Sequence, residues 1–330
     1  MQVVLLLVSL AGAWPTPPGV TVGVHPQAWE SVCVGSLQVS LPGQRITLSQ
    51  SFDHARVELL PGVRDVDAFR VRVEARAAEL RALPHDTEQG RLGALAWQGD
   101  HAAILRYREH PASSRAWQIQ RFLWLGDRGY VFDSVQAMRP QFADDAARQG
   151  AVFEKLAPRT NGERDGLGFC IDGAVVRGDV GKISAGASTQ ATGAQHVRVW
   201  AGSVRHGQRG EAVSANDELA ARREAIAQTR RLEPDAASDP EYPREFDVTR
   251  QQGRRVAGVT GEEAVWRERL NNGARRHVFR WTGRLNGTEN VTIGMDVGDK
   301  FKPGEAPPNE ETLIALWDQI LGSAKTSGQP

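Results

Sequence analysis

One order of elements runs through this chain twice, and that repeat constrains the fold more than any single motif. Residues 32–41 (VCVGSLQVSL) read as a strand that stops at Pro42-Gly43. A β-like run follows at 54–60, and residues 65–83 read as a helix. There Val66, Phe69, Val73, Ala77 and Leu80 recur at three- and four-residue steps, and Pro84 ends the pattern. Short runs at 92–97, 102–108, 117–125 and 130–136, separated by turn residues, have the spacing of an antiparallel meander. A helical pattern at 140–156 closes the first half.

The second half follows the same plan. Residues 167–176 (LGFCIDGAVV) and 196–201 read as strands, and 214–232 as a charged helix with Asn216 or Asp217 available to cap it. A second meander occupies 254–259, 264–270, 277–285 and 290–297. Pro307-Pro308-Asn309 then opens a helix with an apolar stripe of Leu313, Leu316, Trp317, Ile320 and Leu321. Trp124 and Trp281 sit in corresponding meander strands, each before a glycine-containing turn. The fold class expected is α+β: two similar modules, each an antiparallel sheet with helices on one face, and a groove between them.

The length, 330 residues, suits two such domains. The boundaries predicted are a first module at 29–157, a linker at 158–166, a second module at 167–325 and a tail at 326–330. Residues 3–13 (VVLLLVSLAGA) are too short to span a bilayer and fit the apolar region of a signal peptide, so 1–13 is read as a leader and 14–28 as a loose mature N-terminus. The n-region carries no Lys or Arg, and a buried strand is the competing reading. Export places the chain in the periplasm, with no stable membrane insertion once the leader is removed. There Cys33 and Cys170 would either pair or stand as two small buried thiols; both readings stay open.

Forty Lys and Arg balance forty Asp and Glu, which argues against a general nucleic-acid binder. No G-x-S-x-G, H-E-x-x-H or Walker A string occurs. The stretch from Gly178 through Lys182 to Ser184 lacks P-loop spacing and reads as a turn between strands. The eight histidines form no metal-ligand pair on one element, and His110 beside Glu109 reads as a solvated loop. No catalytic, metal or cofactor residue is assigned, and no cofactor is expected.

The strongest electrostatic feature is residues 266–284, where Arg267, Arg269 and Arg276 interleave with Phe279 and Trp281. It reads as a sticky polar surface for an acidic protein, or secondarily nucleic acid, or as the solvent face of a strand pair. Recognition on a rigid scaffold concentrates at exposed turns. The candidates for partner contact are Asp127 and Arg128 in the first module, with Asn271, Asn272, Arg275 and Arg276 in the second.

Three stretches carry a resemblance: Cys33 to Pro42 (CVGSLQVSLP), Gly168 to Val176 (GFCIDGAVV), and Glu311 to Leu321 (ETLIALWDQIL). In order and spacing the chain resembles the immunity proteins that neutralise phospholipase effectors of the bacterial type VI secretion system. The resemblance implies a two-domain periplasmic protein, not an enzyme, that binds a secreted lipase and blocks its active site. The competing expectations are a periplasmic hydrolase whose catalytic groups converge only in the fold, and a module binding a small ligand in the groove.

Overall fold

The computed structural model describes residues 29–43, 46–52, 55–137, 150–151, 153–159, 169–171, 173–177, 182–190, 197–206, 214–285, 287–298 and 309–326. The segments read as a leader, as a loose N-terminus and, for the most part, as a linker lie outside these residues. So do residues 140–149 of the helical pattern and residues 327–330 of the tail.

Each half opens with a hairpin. In the first, β1 (Trp29–Val34) pairs antiparallel with β2 (Leu37–Pro42), followed by β3 (Ile46–Phe52) and β4 (Ala55–Leu59). Helix α1 (Val66–Ala82) then leads into the meander β5 (Leu92–Gln98), β6 (Ala102–Tyr107), β7 (Trp117–Leu125) and β8 (Arg128–Ala137). Short β9 (Leu156–Pro158) precedes the second hairpin, β10 (Phe169–Ile171) with β11 (Ala174–Val176). Next come β12 (Lys182–Gln190), β13 (Val197–His206) and α2 (Ala215–Leu232). The second meander is β14 (Pro243–Val256), β15 (Val259–Leu270), β16 (Arg275–Leu285) and β17 (Glu289–Val297). Helix α3 (Glu310–Ser323) and β18 (Lys325–Thr326) end the order.

The two cysteine stretches, expected as single strands, are hairpins. Gly35 interrupts the first at φ 63°, a left-handed conformation that suits glycine. The turn there also presses against β13, where a Cβ on Gly35 would lie 2.3 Å from the Ser203 side chain. Beside it the buried Glu289 carboxylate accepts from Ser36 N at 2.8 Å and Ser36 Oγ at 2.7 Å.

The helices are capped locally. The Asp65 side chain accepts from Ala68 N at 2.7 Å and Asn309 from Thr312 N at 2.7 Å. In α2 the cap is Ser214 rather than Asn216 or Asp217. Asp217 sits three residues on and returns the bond, completing a capping box.

A single sheet of twelve strands unites both halves, in the order β14-β15-β16-β17-β13-β12-β3-β4-β8-β7-β6-β5. The halves join edge to edge through antiparallel β3 and β12, with Ile183 opposite Phe52 and Thr189 opposite Ile46. The fold is therefore α+β with large antiparallel sheets, as expected.

The distribution of helices differs from the expectation in one respect. Helix α1 buries Phe69, Val73, Ala77 and Leu80 on Ala103, Leu105 and Phe122. Helix α2 packs Ala215 and Leu219 on Ala264, Trp266 and Val278. These two lie on the same face. Helix α3 covers the opposite one, where Trp317 meets Phe279 and Trp281. The sequence of β15 explains this, since Glu263, Ala264, Val265 and Trp266 are all buried in succession, and consecutive strand residues point to opposite faces. Both faces of that strand need cover. Trp124 and Trp281 accordingly divide: Trp124 packs with the α1 cluster, while Trp281 lies on the α3 side.

The hairpins are exchanged between the halves. The β1–β2 hairpin of the first half pairs with β18, and Ser40 N donates to Ser323 Oγ at 3.0 Å on α3. The β10–β11 hairpin pairs with β9, and its Gly173 lies against Arg128 and Tyr130 of β8. Where the hairpins cross, Gly35 and Cys170 exchange backbone bonds of 3.2 and 2.7 Å, and Cys33 is disulfide-bonded to Cys170.

Candidate binding groove

The register of the central strands assigns each side chain a face. On the α3 side Ile183, Ala185, Ala187, Thr189, Val199, Ala201 and Ser203 are all buried under the hairpins and α3. On the α1 and α2 side, none of the described residues of β3, β4, β12 and β13 is buried. Strand β3 presents Thr47, Ser49 and Ser51 there, and β12 presents Ser184, Gly186 and Ser188. Strand β13 adds Arg198, Trp200, Gly202 and Val204, and β4 adds Arg56 and Glu58.

This open strip runs between two helical walls. Helix α2 covers β14 to β16 and α1 covers β5 to β7 and the edge of β8 at Val131; no other described helix lies over β17, β13, β12, β3 and β4 on this face. At roughly 4.8 Å between strands the strip is about 24 Å wide. A helix with its side chains is about 10–12 Å across, so the strip accommodates secondary structure from another protein. The usual twist of about 20–25° per strand makes it a saddle.

Its chemistry is polar and low in relief. Ser, Thr and Gly keep side-chain bulk out of the groove while offering hydroxyls, and the Ser51 and Ser184 hydroxyls are 2.6 Å apart. The half-buried Trp200 is the aromatic group on this floor among the described residues. Its indole lies over Gly294, where a Cβ would come within 2.4 Å of the ring. The Arg280 guanidinium stands 5.3 Å from the Trp200 centroid and is held by Glu218 at 2.8 Å and Asp296 at 2.7 Å. Trp200 is thus a positioned aromatic beside the small residues of β12 and β3, with Arg198, Arg56 and Glu58 exposed on the same face.

The turn residues singled out from sequence do not converge. The tips at 126–127 and 271–274 lie at the same end of the sheet, centred seven strand intervals apart, or about 34 Å. Asp127 is fully open, while Arg128 is 3.7 Å from it and lies along Gly173. The Asn271 amide donates to the carbonyls of Ala237 and Asp239 at 2.9 and 2.8 Å, pinning the loop after α2. Asn272 Oδ1 accepts from Ala274 N at 2.9 Å within its own turn. Arg275 is exposed; Arg276 reaches Glu268 at 3.3 Å.

Most of the arginine-rich hairpin is neutralised within the protein. Arg267 pairs with Asp247 at 2.8 Å and Arg269 with Glu245 at 3.5 Å. Glu268, almost wholly buried, holds Arg222 through bonds of 2.7 and 2.9 Å. Burial alone would raise the Glu268 pKa, but the hydrogen bond and charge of Arg222 outweigh it and hold the carboxyl below its ordinary value. Burial, the largest influence, and the neighbouring Arg267 and Arg275 lower the pKa of His277 against the opposing pull of Glu310. Among the described residues no group of three His, Cys, Asp or Glu is placed to hold a metal ion, and no helix is long and apolar enough to cross a membrane.

The sequence suggested a groove between the modules but not its floor, because strand β3 was not read and part of β12 read as a turn. Residues 178–184 were expected to be a turn, yet Lys182 begins a nine-residue central strand.

Fold and groove together define a duplicated α+β scaffold that presents an open sheet face between two helices. Residues 165–326 match the family model described as the Tle cognate immunity protein 4 C-terminal domain. The resemblance carried by the cysteine stretches and the closing helix is borne out.

Three solved structures share the fold over nearly the whole chain. The apo structure of the type VI secretion immunity protein TplEi from Pseudomonas aeruginosa superposes with a TM-score of 0.71 at 18% identity, covering 93% of this chain and 100% of that one. The crystal structure of the Tle4–Tli4 complex gives 0.70 at 18% identity, covering 92% and 99%. TplEi complexed with an "L" peptide gives 0.65 at 18% identity. No curated protein sequence matches the chain.

Proposed function

We propose that this protein is a periplasmic immunity protein that binds a cognate lipase effector of type VI secretion and blocks its active site, without chemistry of its own. The observation that carries the reading is the open strip between α1 and α2, on a fold shared end to end with immunity proteins of that system. A strip of unburied Ser, Thr, Gly and Trp200 in the middle of a sheet is a surface for another macromolecule. Export through residues 1–13 accords with the Cys33–Cys170 disulfide, which needs an oxidising compartment to persist. Inhibition of this kind needs a large interface and slow dissociation rather than a catalytic constellation.

The test is to purify the chain with the product of its neighbouring gene and measure phospholipase activity with and without it. Gly186 and Gly202 allow the groove to be blocked without disturbing the fold. A Cβ on Gly186 meets only carbonyls at 3.6 Å, and one on Gly202 meets nothing nearer than 3.9 Å. Gly186→Tyr combined with Gly202→Arg is expected to leave the melting temperature nearly unchanged and to abolish inhibition. Full inhibition by the double variant would place the interface elsewhere.

A further inference from the structure

Where α1 stops covering the sheet, a cleft of about 330 Å³ opens on the first-module wall of the groove. Its floor is apolar, made by Leu60 at the end of β4 and by Phe122 and Val131, which are paired across β7 and β8. Its helical side carries Arg72, Arg76 and Glu79, a net excess of one positive charge. Arg72 and Arg76, one turn apart on α1, stand over that floor. Arg76 is shared, lying 2.8 Å from Glu79 and 3.4 Å from Gln120. Arg72 is exposed and makes no hydrogen bond or ion pair among the described residues.

We propose that this cleft is an anchor site for a paired apolar and acidic side chain of the effector, and this rests on the function proposed above. An aromatic or leucine side chain would sit on Leu60, Phe122 and Val131, and a neighbouring Asp or Glu would meet Arg72. Size and position favour a protein segment. The volume is at the lower end for ligand sites and suits one or two side chains rather than a two-chain lipid. The cleft is also continuous with the groove, because Val131 is paired with Glu58 of the open strip. An effector seated on the strip therefore brings its own side chains to the cleft mouth. Binding energy at such interfaces concentrates where an anchor fills a pocket.

Two experiments test this. The first titrates the full chain with acetyl-Phe-Glu-amide, acetyl-Phe-Lys-amide and sodium octanoate, following the methyl signals of Leu60 and Val131 by NMR. Shifts with Phe-Glu, and binding about tenfold weaker for Phe-Lys, are expected, with the order reversed in Arg72→Glu. Equal binding of both peptides, no methyl shifts, or octanoate binding more tightly than either peptide would overturn the proposal. The second measures effector affinity of Arg72→Glu and Ala75→Trp, both at exposed helix positions. Each is expected to weaken capture about tenfold or more. Unchanged affinity in both, alongside loss of capture in the Gly186 and Gly202 variant, would remove the cleft and leave the immunity function standing. A chain that captures no lipase at all, yet binds Phe-Glu in the cleft, would sink the function and not the anchor chemistry.

Discussion

Trp317 on α3 donates its indole N–H to the fully buried carboxylate of Glu263 on β15, at 2.7 Å. The same carboxylate oxygen takes Arg250 at 3.1 Å and Arg254 at 3.0 Å, and both arginines also bind Asp318 of α3. A helix otherwise seated by its apolar stripe is thereby fixed in register on the sheet.

Truncating that tryptophan removes both contributions. Trp317→Ala is expected to destabilise the protein by about 3–5 kcal/mol, as for other buried large-to-small changes. Glu263→Ala leaves the Arg250 and Arg254 charges without their buried partner and is expected to cost a similar amount, about 3–5 kcal/mol. Urea unfolding followed by tryptophan fluorescence measures both. A loss under about 1 kcal/mol for Trp317→Ala would mean that α3 is not seated as described.

Acid should loosen the second half. Burial opposes ionisation of Asp318, but hydrogen bonds from Arg254 and Arg250 prevail and lower its pKa from the ordinary 3.8. Glu268 is likewise lowered from 4.5. A carboxyl depressed on folding stabilises the folded state above its unfolded pKa and loses that contribution as pH falls through the folded value. Melting temperature is therefore expected to hold down to about pH 4.5 and to fall below it. In Glu268→Gln with Asp318→Asn the decline should be shallower; an equally steep one would assign it to other carboxyls.

The disulfide closes a long loop, since its cysteines are 137 residues apart. Restricting an unfolded chain over such a span stabilises by about 2–5 kcal/mol in the loop-entropy account. Cys33→Ser is expected to lower stability in that range without changing the circular dichroism of the folded state. A variant as stable as the wild type would show that the crossing of the hairpins holds without the bond.

At the 271–276 tip, the two arginines are predicted to separate. Arg275→Glu changes an exposed side chain and is expected to leave melting temperature unchanged, whereas Arg276→Glu sets a carboxylate against buried Glu268 and should lower it. If the tip touches the effector at its rim, Arg275→Glu slows association and makes it more salt-sensitive. Association rates unaltered by salt and by the substitution would exclude the tip from the interface.

Much of the architecture was legible because it rests on local rules. The stripes of α1 and α3 and the turns of both meanders carry their periodicity openly, and the repeated order anticipated the duplication. The pairing of β3 with β12 could not be read, since two strands 130 residues apart carry no mark of mutual register. Nor could the open strip. Strand β12 alternates Ile183, Ala185 and Ala187 with Ser184, Gly186 and Ser188, and small residues on both faces give weak β signals. Gly35 and Gly173, read as ordinary strand residues, were the signs of hairpins.

The exchange of hairpins also sets a timetable for the newly made chain. Residues of β1 and β2 emerge early, yet their seat includes Ser323 and the Lys325–Thr326 strand, which emerge almost three hundred residues later. At synthesis rates of about 5–20 residues per second, that hairpin waits some tens of seconds for its partners. Until then its apolar Val34, Leu37, Val39 and Leu41 have no cover from α3.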